Sequence, residues 1–279
     1  ISKIEKLFNL GKISKFEGIK QGIENTNYLI FIKNKKYILT IFEKRVNAKD
    51  LPFFMKLMSK LSQQNIRCPQ PIQNKEGGFI FKVKNKRACI VSFLKGKDKK
   101  ELSSKDCFTV GKNIAKLHLV SKKIKLYRKN SLSLNSWPNL ISKLDNRINN
   151  ISKNLKNTMQ NDLKIIKKNW PKNLPKGIIH CDLFIDNIFF YKKKFYGFID
   201  FYFSANDFYI YELAICINAL CFNKRKNRFI FDKAKSSKLL KGYRSIRKLN
   251  IYEMKYFNIM CRGSALRYLL TRTFDYLNT

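Results

Sequence analysis

The stretch GIIHCDLFIDNIFF, residues 177–190, places two aspartates, an asparagine and one of the two histidines of the chain among apolar residues. The chain has 58 lysines and arginines but only 19 aspartates and glutamates, so acids grouped here are unusual. A desolvated carboxylate is costly unless a cation binds it. The stretch therefore predicts a site at which acidic side chains meet a cation.

His180, Asp182 and Asn187 follow the spacing H-x-D-x-x-x-x-N, and Asp200 lies thirteen residues beyond the asparagine in GFIDF. This spacing resembles the catalytic loop of the protein-kinase-like phosphotransferases. In such a loop the aspartate accepts the proton of the attacking hydroxyl, and the asparagine oxygen binds a metal ion. A carboxylate at position 200 can hold Mg²⁺ against the phosphates of ATP, whose charge only cations offset. The resemblance therefore implies catalysis by Asp182, with Mg²⁺ on Asn187 and Asp200.

A simpler interpretation of the stretch is a β-hairpin whose polar residues cap turns. The order of strand, loop, strand and aspartate argues against it. Among the remaining polar residues, we interpret Asp186 as a turn residue and Asp207, in SANDFYIYELA, as an N-cap or a brace for the loop. His118 has leucines on both sides, which predicts a packed core histidine. We expect His180 to orient the loop rather than to transfer protons itself.

The elements that must position these residues divide the chain in two. Residues 28–42 predict two strands around a KNKK turn, and GGFIFKVKNKRACIVSFL predicts two more. Residues 50–66 have Leu and Met at helical spacing after an Asp-led start with an early proline. Gly18 and Gly22, in FEGIKQGIENTN, indicate a loop between two strands. We therefore predict an N-terminal lobe, residues 1–94, with a small antiparallel sheet and one helix.

The second part, residues 95–279, predicts a larger and mainly helical lobe. SSKDCFTVGKNIAKLHLVSKK predicts a helix with a Ser- and Asp-rich start, and residues 139–170 contain a second, strongly basic helical region. Strands return within 177–203, and beyond residue 207 we predict helix to the end of the chain. The predicted fold class is α+β, with the bilobal, protein-kinase-like arrangement that the catalytic loop implies.

The composition argues against several other classes of protein. The longest apolar runs, such as LAICINALCF, stop well short of the roughly 18 residues that a membrane span needs. Seven scattered cysteines form no CxxC, and two histidines are too few for a common zinc pattern. We therefore expect reduced thiols, a cytoplasmic location and no membrane partner. The chain lacks an initiator Met, and FDYLNT still predicts a helix, so we expect short pieces to be missing at both ends.

The net charge of +39 raises the question of nucleic-acid binding. A nucleic-acid site concentrates lysine and arginine in a stripe, often with arginine reading the bases. Here 46 lysines and 12 arginines are spread along the whole chain. We therefore expect lysines on solvated faces and no specific nucleic-acid partner, although an anionic substrate gains from the surrounding positive field.

Across nearly its whole length the sequence resembles the type II homoserine kinases of the aminoglycoside/choline phosphotransferase superfamily. The runs IDFYF, AICINALCF and RGSALR are narrower signals than the catalytic spacing. The resemblance implies transfer of the γ-phosphoryl group of ATP to the hydroxyl of L-homoserine, giving O-phospho-L-homoserine and ADP for threonine biosynthesis. The segments that carry it are GIENTNYLI, YILTIFEKRV, DLPFFMKLM, CPQPI, VSFLKGK, IIHCDLFIDNIFF, GFIDFYFSANDFYIYELAICINALCF and RGSALRYLLTR.

The same resemblance implies where the nucleotide binds, and it makes the N-terminal lobe nucleotide-binding. Backbone amides of the loop GIKQGIENTN, with Gly18, Gly22, Asn25 and Asn27, would cover the phosphates. The strand end IVSFL would be the hinge against which adenine lies. Its implied contacts are Ser92, Phe93 and Leu94.

Homoserine is a zwitterion, so its site needs a cation for the carboxylate and acids or carbonyls for the ammonium. Arg262 and Arg267, in CRGSALRYL, are the predicted partners of the carboxylate, with ordinary surface arginines as the alternative. Asp207 or Glu212 is a weaker prediction for the ammonium.

Thr40, in KYILTIF, departs from the wider superfamily pattern, in which a phosphate-pairing lysine is expected. Type II homoserine kinases resemble this chain in having ILT here, so the change does not imply an inactive enzyme. It leaves the cation that pairs with the phosphates open. Lys44 and Arg45 are close in sequence, although solvated side chains are the more ordinary interpretation of both.

Two other functions remain open at this point. A related kinase would keep the fold and phosphorylate an amino alcohol, sugar or aminoglycoside, because fold does not select the acceptor. A basic nucleic-acid-binding protein or a pseudokinase scaffold would instead show salt-sensitive binding without turnover. Asp182, Asn187 and Asp200 argue against the scaffold. The sequence leaves the oligomeric state open.

Overall fold

The structure, a computed structural model, describes residues 2–19, 25–43, 46–144, 147–226 and 228–278. The helices in these ranges are α1 (Ser2–Leu7), α2 (Leu51–Gln63), α3 (Ser104–Ser121), α4 (Trp137–Ser142), α5 (Ile148–Ile151), α6 (Leu155–Asn169), α7 (Tyr209–Leu220), α8 (Lys233–Arg244), α9 (Ile251–Lys255) and α10 (Phe257–Asn278). The strands in them are β1 (Ile13–Ile19), β2 (Asn25–Ile32), β3 (Lys35–Phe42), β4 (Ile80–Val83), β5 (Lys86–Ser92), β6 (Lys176–Ile179), β7 (Ile188–Tyr191), β8 (Lys194–Phe198), β9 (Ala205–Phe208), β10 (Phe222–Arg225) and β11 (Arg228–Phe231).

Chain contacts divide the protein into two compact units, of which the first comprises Ile1–Lys99, Ile124–Arg128 and Asp186–Tyr202. Its five-stranded sheet has the order β1-β2-β3-β5-β4, and each neighbouring pair is antiparallel. Lys33 and Lys84, both with positive φ, lie in the two tight turns that reverse the chain from β2 to β3 and from β4 to β5. The predicted small antiparallel sheet of the N-terminal region is therefore confirmed.

The core of this unit follows from alternation along the strands, since every second side chain of a strand faces the same side. The short helix α1, which the sequence did not predict, packs against that core, and Phe8 just beyond it meets the Phe81 ring edge-on at 5.2 Å. Helix α2 begins with a proline in its first turn and buries one apolar face. One cluster of buried residues from the sheet and from α1 with its flank comprises Ile4, Phe8, Ile30, Ile32, Tyr37, Leu39, Phe81, Ala88 and Ile90.

The hairpin of β7 and β8 belongs to the first unit, although it lies far along the chain from the five-stranded sheet. Phe190 exchanges backbone hydrogen bonds with Lys97, just beyond β5. Gly96 has φ +106° and lies so close to the Phe190 carbonyl that a Cβ would collide with it. The close backbone approach therefore requires glycine at this position.

The second unit comprises Lys100–Lys123, Lys129–Ile185 and Phe203–Thr279 and is mainly helical. Helix α3 begins at a capping box of Ser103 and Asp106, as its Ser- and Asp-rich start predicts. Where α3 crosses α8, a Cβ at Gly111 or at Gly242 would collide with a backbone carbonyl of the other helix. Helix α7 is buried on nearly all sides, which explains why its sequence is apolar apart from Glu212 and Asn218.

The α+β fold class is confirmed, but three local predictions are wrong. Residues 222–231 form the β10–β11 hairpin instead of continuing a helix. In this hairpin FNKR pairs antiparallel with RFIF, a run rich in β-prone aromatic and branched residues. Phe201–Phe203 is a 3₁₀ turn rather than the end of a strand. Asp207 is not an N-cap, because β9 runs through Phe208 and Phe208 itself occupies the cap position of α7.

We predicted an N-terminal lobe that ends at residue 94 and a second lobe that begins at residue 95. This division into functional lobes stays a prediction. The basic region 139–170 is helical as predicted, in the three pieces α4, α5 and α6. Across the ranges that the structure describes, no helix has both the length and the apolar character that crossing a membrane requires. The seven cysteines are free, and six of them are buried.

Candidate active site

The backbone just before Asp182 has an uncommon conformation. Cys181 has φ +68°, in the left-handed region that residues other than glycine and asparagine rarely adopt. The Glu212 carboxylate, fully buried in α7, accepts hydrogen bonds from the backbone N–H of His180 and, at 3.1 Å, from that of Cys181. Glu212 thus satisfies two buried donors and secures the turn from which Asp182 projects. The His180 ring is fully buried as well, and its predicted role in orienting the loop stays a prediction.

Helix α10 binds the other side of the same turn. Arg267 Nη1 donates to the Cys181 carbonyl oxygen at 2.6 Å and to the Tyr268 hydroxyl at 2.7 Å. The Tyr268 hydroxyl lies 3.2 Å from Asp182 Oδ1 and 3.0 Å from the Cys181 carbonyl oxygen. The candidate base is therefore in direct contact with a side chain of α10, the helix that carries RGSALR.

Burial shifts the ionisation of several groups in this second unit. It raises the pKa of Glu212, while the nearby His180 and the two backbone N–H groups oppose the rise. It also raises the pKa of Asp207, whose carboxylate accepts a hydrogen bond from Asn130 Nδ2 at 2.7 Å. Burial lowers the pKa of His118 to about 3, so this histidine is neutral, and its Nδ1 lies 2.8 Å from the Tyr243 hydroxyl. The predicted packed core histidine is confirmed.

Asn187 and Asp200 both belong to the first unit, at one end of the β7–β8 hairpin. Asn187 directly precedes β7, and its carbonyl oxygen accepts a hydrogen bond from the backbone N–H of Ile199 at 3.0 Å. Asp200 follows with φ +60°, a left-handed conformation that aspartate tolerates better than most residues. Ile199, the backbone partner of Asn187, directly precedes Asp200 in the chain. The hairpin therefore brings the chain at Asp200 back next to Asn187.

An amide oxygen and a carboxylate are the hard oxygen ligands that Mg²⁺ prefers. Among the residues that the structure describes, no three or more His, Cys, Asp or Glu side chains gather as a metal cage. Mg²⁺ commonly takes one or two protein oxygens and completes its shell with water and phosphate oxygens. Asn187 and Asp200 can supply two such oxygen ligands, so their chemistry fits a Mg²⁺ site of this kind.

Thr40, the position at which the resemblance led us to expect lysine, is buried in the first unit. Its hydroxyl donates to Asn27 Oδ1 at 2.8 Å, across the β2–β3 register that pairs the two residues. Tyr202, from IDFYF, hydrogen-bonds to Thr40 and places its hydroxyl 3.7 Å from Cys89 Sγ. Its ring meets Phe42 edge-on at 5.0 Å. Small polar groups and a tyrosine thus occupy the surroundings of position 40.

Of the predicted hinge residues, Ser92 is the last residue of β5, and Phe93 and Leu94 follow it. The Ser92 N–H donates to the Gln70 carbonyl at 2.8 Å, and the Phe93 N–H donates to the Lys36 carbonyl at 3.2 Å. Leu94 comes next in the chain. Because both of these N–H groups already have acceptors, an adenine at this position would bind through carbonyls or through Leu94, and the hinge role stays a prediction.

The remaining predicted nucleotide contacts lie at the start of β2. Asn25 Oδ1 accepts the Glu43 N–H at 3.4 Å, so this side chain joins the ends of β2 and β3. Gly22 lies outside the described residues, and so do Lys44 and Arg45, the candidate cations for the phosphates. Their roles stay predictions.

The two candidate arginines for the homoserine carboxylate differ in their surroundings. The Arg262 side chain is 45% exposed and pairs with Asp162 of α6. Arg267 is buried and bound to the turn before Asp182. Glu212, the weaker candidate for the ammonium, is occupied by the two backbone N–H groups. Neither arginine assignment is tested by these contacts.

Sequence reasoning missed the two tyrosines that contact the candidate residues. Tyr202 lies in IDFYF and Tyr268 directly follows RGSALR, two of the runs on which the resemblance noted from the sequence rests. Their position in these runs is the one sequence signal that could have found the two tyrosines. Nothing in the spacing of a tyrosine links it to an aspartate 86 residues away.

Comparison with known proteins places these residues in context. Residues 15–247 match the family described as APH, the phosphotransferase enzyme family. A homoserine kinase of Brucella anthropi is 39% identical over 271 residues, covering 97% of this chain and 82% of that protein. A homoserine kinase of Bartonella tribocorum is 40% identical over 272 residues, covering 98% of this chain and 84% of that protein.

Solved structures share the fold at low sequence identity. An amicoumacin kinase in complex with AMP-PNP, Ca²⁺ and Ami has a TM-score of 0.79 at 15% identity, covering 100% of this chain and 85% of that one. A microcompartment-associated aminopropanol kinase has a TM-score of 0.66 at 15% identity, covering 99% of this chain and 94% of that one. The chain belongs to the APH phosphotransferase enzyme family, together with the homoserine kinases that match nearly all of it.

Proposed function

We propose that this protein is a homoserine kinase. A P–O bond forms between the side-chain hydroxyl oxygen of L-homoserine and the γ-phosphorus of ATP, and the bond from that phosphorus to the β–γ bridging oxygen breaks. The hydroxyl proton passes to a base, and the products are O-phospho-L-homoserine and ADP. This reaction supplies threonine biosynthesis. Similarity to homoserine kinases over nearly the whole chain is the observation that carries the choice of acceptor.

Asp182 is the proposed base. Its carboxylate projects from a turn whose N–H groups are bound by Glu212 and whose carbonyl is bound by Arg267. Such support keeps the carboxylate in one place, and a fixed base lowers the barrier by orientation as well as by proton transfer. The single contact that favours this role is the hydrogen bond between Asp182 and Tyr268.

Asn187 and Asp200 are the proposed holders of Mg²⁺, on the chemistry of their oxygens. When bound, the ion offsets negative charge on the phosphates of ATP. The loop GIKQGIENTN with Gly22, Asn25 and Asn27, and the hinge Ser92, Phe93 and Leu94, are the proposed nucleotide contacts. The cation that pairs with the phosphates in place of a lysine at position 40 stays unassigned, since solvated side chains are the more ordinary interpretation of Lys44 and Arg45.

We further propose that the enzyme acts in the cytoplasm and without a specific nucleic-acid partner. Seven free cysteines fit a reducing compartment, in which disulfides are rare. The diffuse lysines fit a solvated surface.

A related acceptor is the second proposal, because an aminopropanol kinase shares the fold and fold alone does not select the acceptor. The test is ADP release from Mg·ATP with L-homoserine, an aminopropanol, choline, a sugar and an aminoglycoside. Turnover on L-homoserine above the other acceptors is the expected result. Preference for another acceptor would retain the kinase and overturn the substrate.

The matched variants Asp182→Asn and Asp186→Asn locate the base. Both remove one carboxylate from the same segment, but Asp186 is exposed and is interpreted as a turn residue. Asp182→Asn is expected to lower kcat by about 10²–10⁴-fold, the range of general-base catalysis. Asp186→Asn is expected to stay within about twofold of the wild type, as surface changes do. Equal losses in the two variants would remove Asp182 from the proposed role.

A further inference from the structure

The Tyr268 hydroxyl has one proton to donate and two acceptors within reach. They are the Cys181 carbonyl oxygen at 3.0 Å and Asp182 Oδ1 at 3.2 Å. A phenol donates a single hydrogen bond. The Cys181 carbonyl already receives a donor from Arg267 at 2.6 Å, and an ionised carboxylate is a stronger acceptor than a carbonyl. The carbonyl can accept a second bond and is the nearer of the two, but the carboxylate is the stronger acceptor, so Asp182 is the favoured partner of this proton.

Arg267 makes this donor stronger. Its Nη1 donates to the Tyr268 hydroxyl oxygen at 2.7 Å, and a hydroxyl that accepts a bond from a cation is polarised toward donating its own proton. Burial lowers the pKa of Arg267, but the neighbouring Tyr268, Tyr211 and Asp182 more than reverse this, so the guanidinium stays charged. Burial raises the pKa of Tyr268 well above its ordinary value, so the phenol keeps its proton at neutral pH.

We propose that Tyr268 is a positioning residue for Asp182, and that Arg267 acts on Asp182 through it. The terminal torsion of an aspartate is broad, so each fixed donor to the carboxylate narrows the range of orientations that it samples. The bond from Tyr268 selects one of them and directs the carboxylate toward the acceptor hydroxyl. This inference rests on the proposed function for its catalytic meaning. It assigns Arg267 to the catalytic turn instead of to the homoserine carboxylate.

Tyr268→Phe tests the bond without disturbing the packing. The ring that remains keeps its edge-on contact with Phe184, at 4.7 Å between centroids. The matched control is Tyr276→Phe, in the same helix α10, where the side chain is 73% exposed. Tyr268→Phe is expected to lower kcat by about tenfold, as loss of one charge-assisted hydrogen bond does. Because substrate contacts are unchanged, KM for ATP and for the acceptor should stay within about twofold, and Tyr276→Phe should leave both constants unchanged.

A spectroscopic measurement keeps this inference separate from the proposed function. In protein labelled with ¹³C at the aspartate side-chain carboxyl, the Asp182 resonance is identified by its loss in Asp182→Asn. At one fixed pH, Tyr268→Phe should displace that resonance, and Tyr276→Phe should not. An unmoved resonance, or a variant that raises KM at constant kcat, would overturn the inference. Absence of homoserine turnover in the wild type would instead count against the proposed function, and the resonance would still decide the contact.

Discussion

At position 40 a hydroxyl, rather than an ammonium, faces Asn27 and Tyr202. A buried ammonium needs an acidic partner, whereas a threonine needs only one acceptor, which Asn27 supplies at 2.8 Å. The environment of position 40 therefore satisfies a threonine and offers no acidic partner among the contacts described for it. Tyr202 lies two residues after Asp200, so the same tyrosine joins the β3 position to the turn of the proposed metal ligand.

Glu212 is the residue whose replacement should change how stability depends on pH. Burial raises its pKa above the ordinary value of 4.5, so between 4.5 and the raised value the folded protein binds the proton more tightly than the unfolded chain does. Stability that this group contributes at low pH is therefore lost as the pH rises through that window. Glutamine cannot ionise, so the stability of Glu212→Gln should not decrease for this reason as the pH rises through the same window.

Urea unfolding of the wild type and of Glu212→Gln between pH 4.5 and pH 8 measures the effect. Glutamine places two N–H donors where the protonated carboxyl has a single O–H, and a buried donor without an acceptor is costly, so the variant should be less stable by about 1–3 kcal/mol at the lowest pH. The difference in the free energy of unfolding between the wild type and Glu212→Gln should become smaller as the pH rises. The exposed Glu76→Gln should stay within about 0.5 kcal/mol of the wild type throughout. A gap that widens with pH would contradict the assignment of a raised pKa.

At the scale of elements, the crossing of α3 and α8 depends on two glycines. Ala is a better helix former than Gly by about 1 kcal/mol, so propensity alone predicts that Gly242→Ala stabilises the protein. The Cβ would however collide with the Phe108 carbonyl, and the helices would have to separate. We expect a net loss of about 1–3 kcal/mol in the free energy of unfolding, the usual range for overpacking.

Thermal and urea unfolding of Gly242→Ala check this expectation, with Gly18→Ala as the control. A Cβ at Gly18 would lie at 3.9 Å from the Tyr28 ring, which is ordinary contact. The control should therefore be nearly neutral. A stabilised Gly242→Ala would show that the two helices have room to adjust.

Elements whose signals are local were predictable, and those set by distant partners were not. The start of α3 follows from the capping box of Ser103 and Asp106, three residues apart, and β2–β3 follows from two apolar runs around a short polar turn. The β10–β11 hairpin was missed because α7 before it and α8 after it give helical patterns on both sides. The contact of Tyr268 with Asp182 joins residues 86 apart, and the bonds from Glu212 join residues 31 and 32 apart. No periodicity in the sequence encodes such pairs.

At the scale of the whole molecule, the net charge of +39 predicts a stability that rises with salt. Like charges repel one another in the compact state, and this repulsion is screened over a length of about 10 Å at 0.1 M salt and about 3 Å at 1 M. The melting temperature should therefore increase between 0.05 M and 0.5 M NaCl, and KCl should give the same increase. A melting temperature that falls with salt would indicate that attractive ion pairs outweigh the repulsion.

The first compact unit is assembled from three separate stretches of chain, the last of which is Asp186–Tyr202. During synthesis the ribosome therefore releases the five-stranded sheet well before the β7–β8 hairpin that completes the same unit. About 100 residues separate Lys99 from Tyr202, which at about 5–20 residues per second is a delay of roughly 5–20 s. During that interval the nascent sheet lacks the contacts of Tyr202 with Phe42 and of Phe190 with Gly96, so part of its apolar surface stays uncovered until residues 186–202 are released.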